Sequence, residues 1–468
     1  MSATGVDRHR TTAGLHVVTV ETSSLGDRSY LVHDGSVAFV VDPQRDIDRV
    51  LEVLDRERLS LTHVFETHVH NDYVTGGLTL ARETGAAYLL NGADEVAFDR
   101  EPLRDGQLLE VGDRMRVEVV ATPGHTFHHL SYVLRDRDAD LGRAVFSGGS
   151  LLYGSTGRPD LLGEEHTDRL ARLQHGSAHR LGRLLPDDAR LYPTHGFGSF
   201  CSATQSDAVD STIGDERRTN PVLVDDEATY VRELLAGLGP WPSYYAHIAP
   251  LNVAGPGRGD LTPPREATAA EIRRRIDAGE WVVDLRGRTA FATGHVRGSV
   301  NVGLDGAFAT NLGWLFDWGT PLTLLGSRPD EVAAAQVELM RIGIERPVAA
   351  TTGSPERWDE RPLGSFEQAD FPRLAAVLAR QPVDVLDVRR AEEFDAGHID
   401  GAVNVPLHEL RARHGELPRR PLWIHCQSGY RASIAASLLA AEGRDVVAVD
   451  DHFGRAADAG LPVLTRSA

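Results

Sequence analysis

The sequence lacks lysine altogether, so all 49 residues counted as Lys or Arg are arginines. This absence excludes catalysis through a lysine Schiff base. Cysteine is almost as scarce, since only Cys201 and Cys426 occur; a disulfide framework is excluded and thiol chemistry is limited to two positions. The chain also has no apolar run of about eighteen residues and no apolar segment at its N-terminus, so a cytoplasmic location is expected.

Acidic residues outnumber basic ones, 68 to 49, so the formal net charge is −19 at pH 7. Such a balance argues against nucleic acid or an anionic membrane as a partner. A hydrophobic content of 41% is ordinary for a globular protein, and 468 residues predict about three domains.

The strongest local pattern follows an apolar run, Leu61 to Phe65, that predicts a buried strand. Directly after it come His68, His70 and Asp72. Alternation along an extended segment would send both imidazoles to the same side, where they could bind one metal ion. The pair Gly76-Gly77 then allows close packing as the chain enters a helix predicted to begin near Val74.

Three further motifs follow in order. They are Thr122-Pro123-Gly124-His125-Thr126, Phe146-Ser147-Gly148-Gly149-Ser150 and Tyr192-Pro193-Thr194-His195-Gly196. Together with the first motif they resemble the metallo-β-lactamase superfamily, over roughly residues 12–250. Gly157-Arg158-Pro159-Asp160 is similar to a segment of its persulfide dioxygenase branch. The resemblance implies an αββα sandwich, in which strands alternate with helices predicted over 46–59 and 167–185.

The resemblance also implies one divalent metal ion, with iron(II) favoured and zinc as the other candidate. The expected ligands are His68, His70 and His125, with Asp72 and His195 as further candidates. Arg158 is expected to bind substrate.

Two positions depart from the family pattern. The iron ligand set of persulfide dioxygenases includes an Asp whose position falls here on Gly149, and Tyr73 stands where many members of the superfamily have a His. Both changes argue against a two-metal thioesterase or lactonase. The remaining histidines, His128, His129, His175 and His179, are expected to support the ligands or lie at the surface, and Cys201 is expected to pack in the interior.

Beyond a Gly- and Pro-rich linker (254–264) the sequence repeats itself. The segments Val283–Arg286 and Leu386–Arg389 are each followed by a Gly-His pair, and the Asp-to-Gly offset is ten residues in both copies, which lie 103 residues apart. Each copy alternates strands with helices, which predicts two small α/β domains with parallel sheets. The predicted limits are 1–253 for the first domain, 265–350 for the first copy, 351–367 for a second linker and 368–468 for the second copy.

In the second copy a strand, Leu422 to His425, runs into Cys426 and then into a helix predicted over Ala432 to Glu442. A thiol at this position lies at the positive end of the helix dipole, and loop N–H groups can converge on its sulfur. Arg431 adds a fixed positive charge. The segment is Cys426-Gln427-Ser428-Gly429-Tyr430-Arg431.

This segment resembles the active loop of a rhodanese, with Cys426 and Arg431 as catalytic residues and 427–430 as the loop that holds a persulfide. Its Cys-x4-Arg spacing suits a sulfur atom better than the wider Cys-x5-Arg loop of related phosphatases. In the first copy Gly326 and Glu331 stand where Cys426 and Arg431 stand, so this copy is expected to be catalytically silent, a spacer or docking surface.

The combined resemblance is to persulfide dioxygenase–rhodanese fusions. It implies oxidation of a low-molecular-weight thiol persulfide to sulfite with O2, coupled to sulfur transfer through Cys426 that yields thiosulfate, in a homodimer or homotetramer. Three alternatives remain open: a sulfurtransferase whose metal domain is inactive or resembles a zinc hydrolase, a thioester hydrolase, and a non-catalytic carrier or sensor of sulfur.

Overall fold

The computed structural model describes residues 6–10, 14–136, 139–206 and 208–465. The chain divides into two units, Met1–Asp260 with Met340–Gly343, and Leu261–Leu339 with Ile344–Ala468. Among the described residues, no helix combines the length and the hydropathy that crossing a membrane requires.

The first unit contains a seven-stranded sheet with its strands in the order of the chain. Pairing is antiparallel from the first strand to the fourth and parallel from the fourth to the seventh. The strands are β1 (Val6–Arg10), β2 (His16–Thr22), β3 (Asp27–His33), β4 (Val37–Val41), β5 (Ser60–Phe65), β6 (Ala87–Asn91) and β7 (Glu101–Leu103).

A five-stranded sheet, ordered β12-β11-β10-β9-β8, faces the first one. Only its edge strand β12 runs parallel to its neighbour. The strands are β8 (Leu108–Val111), β9 (Met115–Ala121), β10 (Leu130–Asp136), β11 (Ala139–Gly148) and β12 (Arg190–Pro193).

Helices cover the outer face of each sheet, which makes four layers. One apolar core lies between the two sheets, a second lies under α1 and α2, and a third lies under α3 to α6. The helices are α1 (Asp48–Glu57), α2 (Gly77–Thr84), α3 (Glu164–Leu184), α4 (Ile213–Thr219), α5 (Pro221–Val224), α6 (Glu227–Ala236) and α7 (Tyr245–Ala254). The predicted αββα sandwich is confirmed.

The helix predicted to begin near Val74 begins instead at Gly77. The Thr75 amide donates to Asn252 Oδ1 at 2.9 Å, and Gly76 lies so close to Gln44 that a Cβ would overlap its carbonyl oxygen. These contacts hold residues 74–76 outside the helix, and the close packing expected of the glycine pair is confirmed.

The second unit contains two parallel sheets, as predicted. The first copy forms the order β14-β13-β15-β16, and the second copy forms β17-β22-β21-β18-β20. A short antiparallel pair, β19 and β23, accompanies the second copy. The strands are β13 (Trp281–Asp284), β14 (Val300–Asn301), β15 (Leu322–Gly326), β16 (Ala349–Thr352), β17 (Glu367–Ala369), β18 (Asp384–Asp387), β19 (His398–Ile399), β20 (Val403–Asn404), β21 (Leu422–His425), β22 (Val446–Val449) and β23 (Val463–Leu464).

Helices connect these strands. They are α8 (Ala269–Asp277), α9 (Arg288–Thr293), α10 (Phe308–Leu315), α11 (Pro329–Arg341), α12 (Pro355–Trp358), α13 (Phe371–Leu378), α14 (Ala391–Ala396), α15 (Leu410–Arg413) and α16 (Tyr430–Ala441). The stretch 351–367, predicted as a linker, includes α12, whose Trp358 is buried in the core of the first copy. The domain limits themselves stay predictions.

The repeated motif makes the same contacts in both copies. Arg286 binds the Asp284 carboxylate and donates to Gly294 O at 2.8 Å, and Arg389 does the same with Asp387 and Gly397 at 2.7 Å. The Asp-x-Arg and Gly-His spacing is therefore a structural tie between the end of a strand and the end of the following helix.

Candidate metal centre and thiol loop

The candidate metal ligands lie on a buried loop that follows β5. Asp42, directly after β4, anchors this loop, because its carboxylate accepts hydrogen bonds from the Thr67 amide at 2.7 Å and from the Thr67 hydroxyl at 2.8 Å. His68, His70 and Asp72 are each 1% exposed. The loop is thus fixed from the sheet side.

Three imidazoles converge at the end of this loop. The ligand atoms of His68, His125 and His195 all lie within 4.8 Å of one another. The Nε2 atoms of His68 and His195 are 3.4 Å apart, and His125 Nε2 is buried without a hydrogen-bond partner. Three such nitrogen atoms form a set that a divalent ion can bind.

Each of these imidazoles is held at its other nitrogen. His125 Nδ1–H donates to Arg158 O at 2.8 Å. Since the Thr67 hydroxyl proton goes to Asp42, His68 Nδ1–H donates to Thr67 Oγ1 at 2.8 Å. His195 Nδ1 lies 2.9 Å from Asp27 Oδ1 and 3.0 Å from Asp72 Oδ2. Such partners fix the tautomer and aim each Nε2 at the common centre.

Burial sets the protonation state of two of the three. It lowers the pKa of His125 to about 3, with the His195 charge adding to the effect, and burial with the His70 and His125 charges lowers the pKa of His68. For His195 burial also lowers the pKa, but Asp72 and Asp27 outweigh it and raise the pKa to about 9. Neutral imidazoles are the form that binds metal.

His70, predicted to bind the metal with His68 and His125, lies in two other sets of convergent ligand atoms, and its role as a ligand stays a prediction. Its ring lies 4.1 Å from that of His68, but its Nε2 lies 3.3 Å from both Asp42 Oδ1 and Glu66 Oε2. Burial lowers the pKa of His70, and these carboxylates outweigh it and raise the pKa to about 10. The segment after Phe65 has left the sheet, so strand alternation does not govern where His70 points.

Asp72 lies beside His195, and these two with His70 form a second set of atoms within 4.8 Å of one another. Burial raises the pKa of the Asp72 carboxyl, but the charge of His195 outweighs it and holds that pKa well below its usual range. The structure thus groups His195 with His68 and His125, while His70 and Asp72 lie alongside.

Gly149 occupies the position where the family pattern has an Asp. A Cβ built on Gly149 would overlap the imidazole ring of His125, and the Gly149 amide donates to His129 Nε2 at 3.0 Å. The imidazole of His125 therefore fills the space that a side chain at 149 would need.

The residues present fit a divalent metal. The donor set combines convergent Nε2 atoms, an unpartnered buried nitrogen and an adjacent carboxylate, which is the chemistry of zinc and iron sites. His68, His125 and His195 would hold the ion. The fold and this His/Asp cluster support a divalent metal without deciding its identity.

Arg158 is buried, and protein groups bind its guanidinium. It donates to both oxygens of Asp160 at 2.7 Å and to Gly239 O at 2.6 Å, and its own carbonyl holds His125. This geometry gives Arg158 a positioning role; its predicted contact with substrate stays a prediction.

The other histidines and Cys201 lie around the site or away from it. His129 is buried with both nitrogens engaged, through Thr122 and Gly149. His128 pairs with Asp94 at the surface, and the rings of His175 and His179 lie 4.3 Å apart on α3 in a tilted arrangement. Cys201 is fully buried, and burial with the Asp72 charge raises the pKa of its thiol.

The second candidate site is the loop between β21 and α16. Cys426 follows the last residue of the strand and is 1% exposed. Gly429 has φ +88° at the start of α16, a conformation that an L side chain rarely adopts. The loop turns at Gly429 and leads from Cys426 into the N-terminal end of a twelve-residue helix.

The Arg431 guanidinium is bound by a carboxylate. Its Nη1 and Nη2 donate to the two oxygens of Glu393, each at 2.7 Å. Gln427 Nε2 lies 3.5 Å from His452 Nε2, and the Gln427 carbonyl accepts from the Phe453 amide at 2.9 Å. The loop geometry agrees with a pocket for a sulfur anion; the catalytic roles stay predictions.

The first copy lacks this chemistry. Gly326 ends β15, and Glu331 Oε2 accepts from the Ser327 amide at 2.6 Å, so a carboxylate occupies the loop. A negative charge there opposes a thiolate or a persulfide.

Several residues that contact the two candidate sites were not predicted from the sequence. Asp27 contacts His195 across 168 positions, which no local spacing could indicate. Asp42 could have been predicted from the sequence, because it directly follows an apolar strand. The segment with His68 follows the next such strand. Glu393 could also have been predicted from the repeat. In the silent copy Ala290 stands at the position of Glu393 and Glu331 at the position of Arg431, so both members of the pair are replaced together.

Comparisons with known proteins agree with the two kinds of site. The metallo-β-lactamase superfamily model matches residues 27–195, and the rhodanese-like domain model matches 268–361 and 371–454. The chain is 30% identical over 216 residues to a hydroxyacylglutathione hydrolase of Neisseria meningitidis serogroup A, which covers 42% of this chain and 80% of that protein. It is 27% identical over 230 residues to the enzyme of the same name from Nostoc punctiforme, covering 43% of this chain and 85% of that protein.

A solved structure is similar over a longer stretch. A metallo-β-lactamase from Staphylococcus aureus aligns with a TM-score of 0.65 and 26% identity, over 73% of this chain and 100% of that chain. The two domain types support a role in sulfur metabolism. The chain belongs to the metallo-β-lactamase superfamily, and two rhodanese-like domains follow its metallo-β-lactamase domain.

Proposed function

We propose that this protein is a sulfane-sulfur enzyme that transfers sulfur through Cys426 and oxidises a low-molecular-weight persulfide in its metal domain. The observation that carries the proposal is the Cys426 loop, with its buried sulfur at the N-terminal end of α16 and its left-handed Gly429. Helix N-termini stabilise anionic sulfur, which is the state that sulfur transfer requires.

The transfer step is a pair of displacements at sulfur. The Cys426 thiolate attacks the outer sulfur of a persulfide RSS⁻, RS⁻ leaves, and Cys426 becomes a persulfide. Sulfite then attacks the outer sulfur of that persulfide, releasing thiosulfate and restoring the thiolate. Neither step needs an external oxidant or reductant, so the loop needs only to hold the sulfur anion.

The experiment uses thiosulfate as donor and cyanide as acceptor, and measures thiocyanate. We expect the intact protein to turn over and Cys426→Ala to lose activity by at least about a thousandfold, because the nucleophile is gone. Cys201→Ala is the matched control, since Cys201 is a buried thiol of the other unit. Equal rates in the intact protein and Cys426→Ala would refute sulfur transfer at this loop.

The metal domain is proposed to carry out the reaction RSS⁻ + O2 + H2O → RS⁻ + SO3²⁻ + 2H⁺. The convergence of His68, His125 and His195 supports it, because three anchored imidazoles leave coordination positions of an ion open to ligands. A bound iron(II) ion would supply the redox chemistry that O2 requires. The sulfite produced is the acceptor that Cys426 needs.

Hydrolysis of a glutathione thioester is the second candidate, favoured by the hydroxyacylglutathione hydrolases among the relatives. Gly149 and Tyr73 weigh against it, because a second ion would lack the Asp and the His that these positions usually provide. Hydrolysis of such a thioester without O2 would favour this candidate. If the protein transferred sulfur but oxidised no persulfide, the metal domain would lack the proposed activity.

A further inference from the structure

The first rhodanese-like copy forms one wall of the Cys426 loop. The Tyr430 hydroxyl donates to Gly303 O at 2.6 Å, and the Tyr430 ring lies so close to Gly306 that a Cβ there would overlap it. The Asn301 amide donates to Ser437 Oγ of α16 at 2.9 Å. The copy expected to be a mere spacer or docking surface thus contacts both the loop and the helix that carry the thiol site.

Arg288, the first residue of α9, is the cation that the first copy brings to this wall. Its Nε donates to Asp450 Oδ1 at 2.7 Å, and its Nη1 donates to Asp305 Oδ2 at 3.2 Å. Asp450 in turn lies against Gly429, where a Cβ would overlap its carboxylate. The guanidinium is therefore oriented by two carboxylates at the edge of the loop, and its side chain is still 27% exposed.

One arginine of each copy has a raised pKa at this site. Burial lowers the pKa of Arg288, but Asp450, Asp305 and the Cys426 sulfur outweigh it; the pKa of Arg431 is raised in the same way by Glu393 and Cys426. Glu393 binds both terminal nitrogens of Arg431. In the described part of the chain, Nη2 of Arg288 has no hydrogen-bond partner, so it can donate to a ligand.

We propose that Arg288 is a specificity-determining residue of the Cys426 site, supplied by the first copy, which binds the sulfur–oxygen anion of substrates such as sulfite and thiosulfate. A planar guanidinium with free N–H groups matches such an oxyanion in shape and charge. The inference rests on the proposed sulfur transfer. It also assigns a function to the copy that carries no thiol.

The test compares two alkylating agents, iodoacetate, which is an anion, and iodoacetamide, which is neutral. Their rates at Cys426 are followed by mass spectrometry of the peptide that contains it, and the ratio of the two rates reports the local charge. We expect the iodoacetate-to-iodoacetamide ratio to fall about threefold to tenfold in Arg288→Gln, because a nearby cation is lost and two carboxylates lose their partner. Arg288→Lys should keep most of the ratio.

Two further variants separate recognition of an anion from damage to the fold. Arg328→Gln removes a 66% exposed arginine of the same copy, paired with Asp330, and should leave the ratio unchanged. Asp305→Asn should raise the ratio, a gain that misfolding cannot produce. An unchanged ratio in Arg288→Gln, or an equal fall in Arg328→Gln, would overturn the assignment.

Alkylation does not depend on sulfur transfer, so the two proposals fail separately. In the cyanide assay Arg288→Gln should raise KM for thiosulfate by the same factor, while thiol alkylation by the neutral reagent changes little. The intact protein could transfer no sulfur while the iodoacetate-to-iodoacetamide ratio still fell in Arg288→Gln. That outcome would refute the proposed function and support the anion site.

Discussion

At the scale of single residues, Gly149 determines the character of the metal site. Its backbone lies against the His125 ring, which leaves no room for a side chain and none for the carboxylate that the family pattern has there. Imidazoles then replace a mixed His and Asp set, which would leave a bound ion more electrophilic and suits zinc as well as iron.

Adding one carbon atom at this position should disturb the site. In Gly149→Ala the new Cβ would push the His125 ring away from Arg158 O and from His68. We expect a loss of stability of about 1–3 kcal/mol, the usual cost of overpacking a buried position, and a lower metal content per chain. Thermal unfolding and metal analysis of the same sample measure both.

Gly176→Ala is the matched control, because a Cβ at this position of α3 meets nothing within 4 Å. It should stabilise the protein by about 0.5–1 kcal/mol, since alanine favours a helix more than glycine does. If Gly149→Ala kept both the stability and the metal content of the parent, the close contact with His125 would not constrain the site.

Residue spacing predicted His68, His125 and Cys426 as site residues, but it could not decide which imidazoles converge. His195 joins His68 from 127 positions away, and its orientation depends on Asp27. His70, only two positions from His68, turns toward Asp42 and Glu66. Local patterns reveal which residues can bind a metal, whereas the pairing of distant strands decides which of them lie together.

At the scale of secondary-structure elements, the thiol loop depends on a contact between two helices. Glu393 of α14 holds Arg431 of α16, with side chains that are each 22% exposed. Burial raises the pKa of Glu393, but the hydrogen bonds and charge of Arg431 outweigh it and lower the pKa to about 2, from 4.5. The pair fixes the first turn of the helix that follows Cys426.

This ion pair predicts a pH dependence of stability. A carboxyl whose pKa is lower in the folded state stabilises the fold above its unfolded pKa, and this contribution disappears as pH falls from about 4.5 to about 2. Glu393→Gln should therefore cost about 1–3 kcal/mol near pH 7 and progressively less below about pH 4.5. Urea unfolding of the parent and the variant across this range measures the difference.

Asp330→Asn provides the control, because Asp330 pairs with Arg328 at the surface and both side chains are mostly exposed. Its effect on unfolding should be near zero throughout. A Glu393→Gln difference that stays constant from neutral to acidic pH would contradict the ion-pair account.

Elements with strong apolar patterns were predictable, and others were not. The helix predicted over 46–59 is α1, which buries Val50, Val53 and Leu54. Helix α7 went unpredicted because it contains Pro250 and lacks an amphipathic pattern. Helix α12 lies in a Gly-, Ser- and Pro-containing stretch that composition assigns to a linker, and the burial of Trp358 explains why it is structured there.

At the scale of the whole molecule, the chain joins a metal domain to a thiol domain whose proposed reactions share sulfite. Covalent linkage raises the effective concentration of an intermediate that one domain releases and the other consumes. The combination of one metal domain with two copies of a second kind of domain was predictable from the order of the motifs and from the repeat. The role of the silent copy was not, because its contacts with Tyr430 and the thiol loop depend on how the two copies pack.

The most direct test of the central claim supplies glutathione persulfide in air to iron(II)-loaded protein, with no added sulfite, and measures sulfite and thiosulfate above an enzyme-free blank. Thiosulfate formation faster than the uncatalysed reaction of sulfite with glutathione persulfide requires both proposed reactions. We expect the intact protein to form thiosulfate, Cys426→Ala to accumulate sulfite instead, and His68→Ala to form neither until sulfite is supplied. The exposed His128→Ala should behave as the intact protein does. If neither product exceeded the blank in the intact protein, or if His68→Ala matched it, the account of two linked reactions would be contradicted.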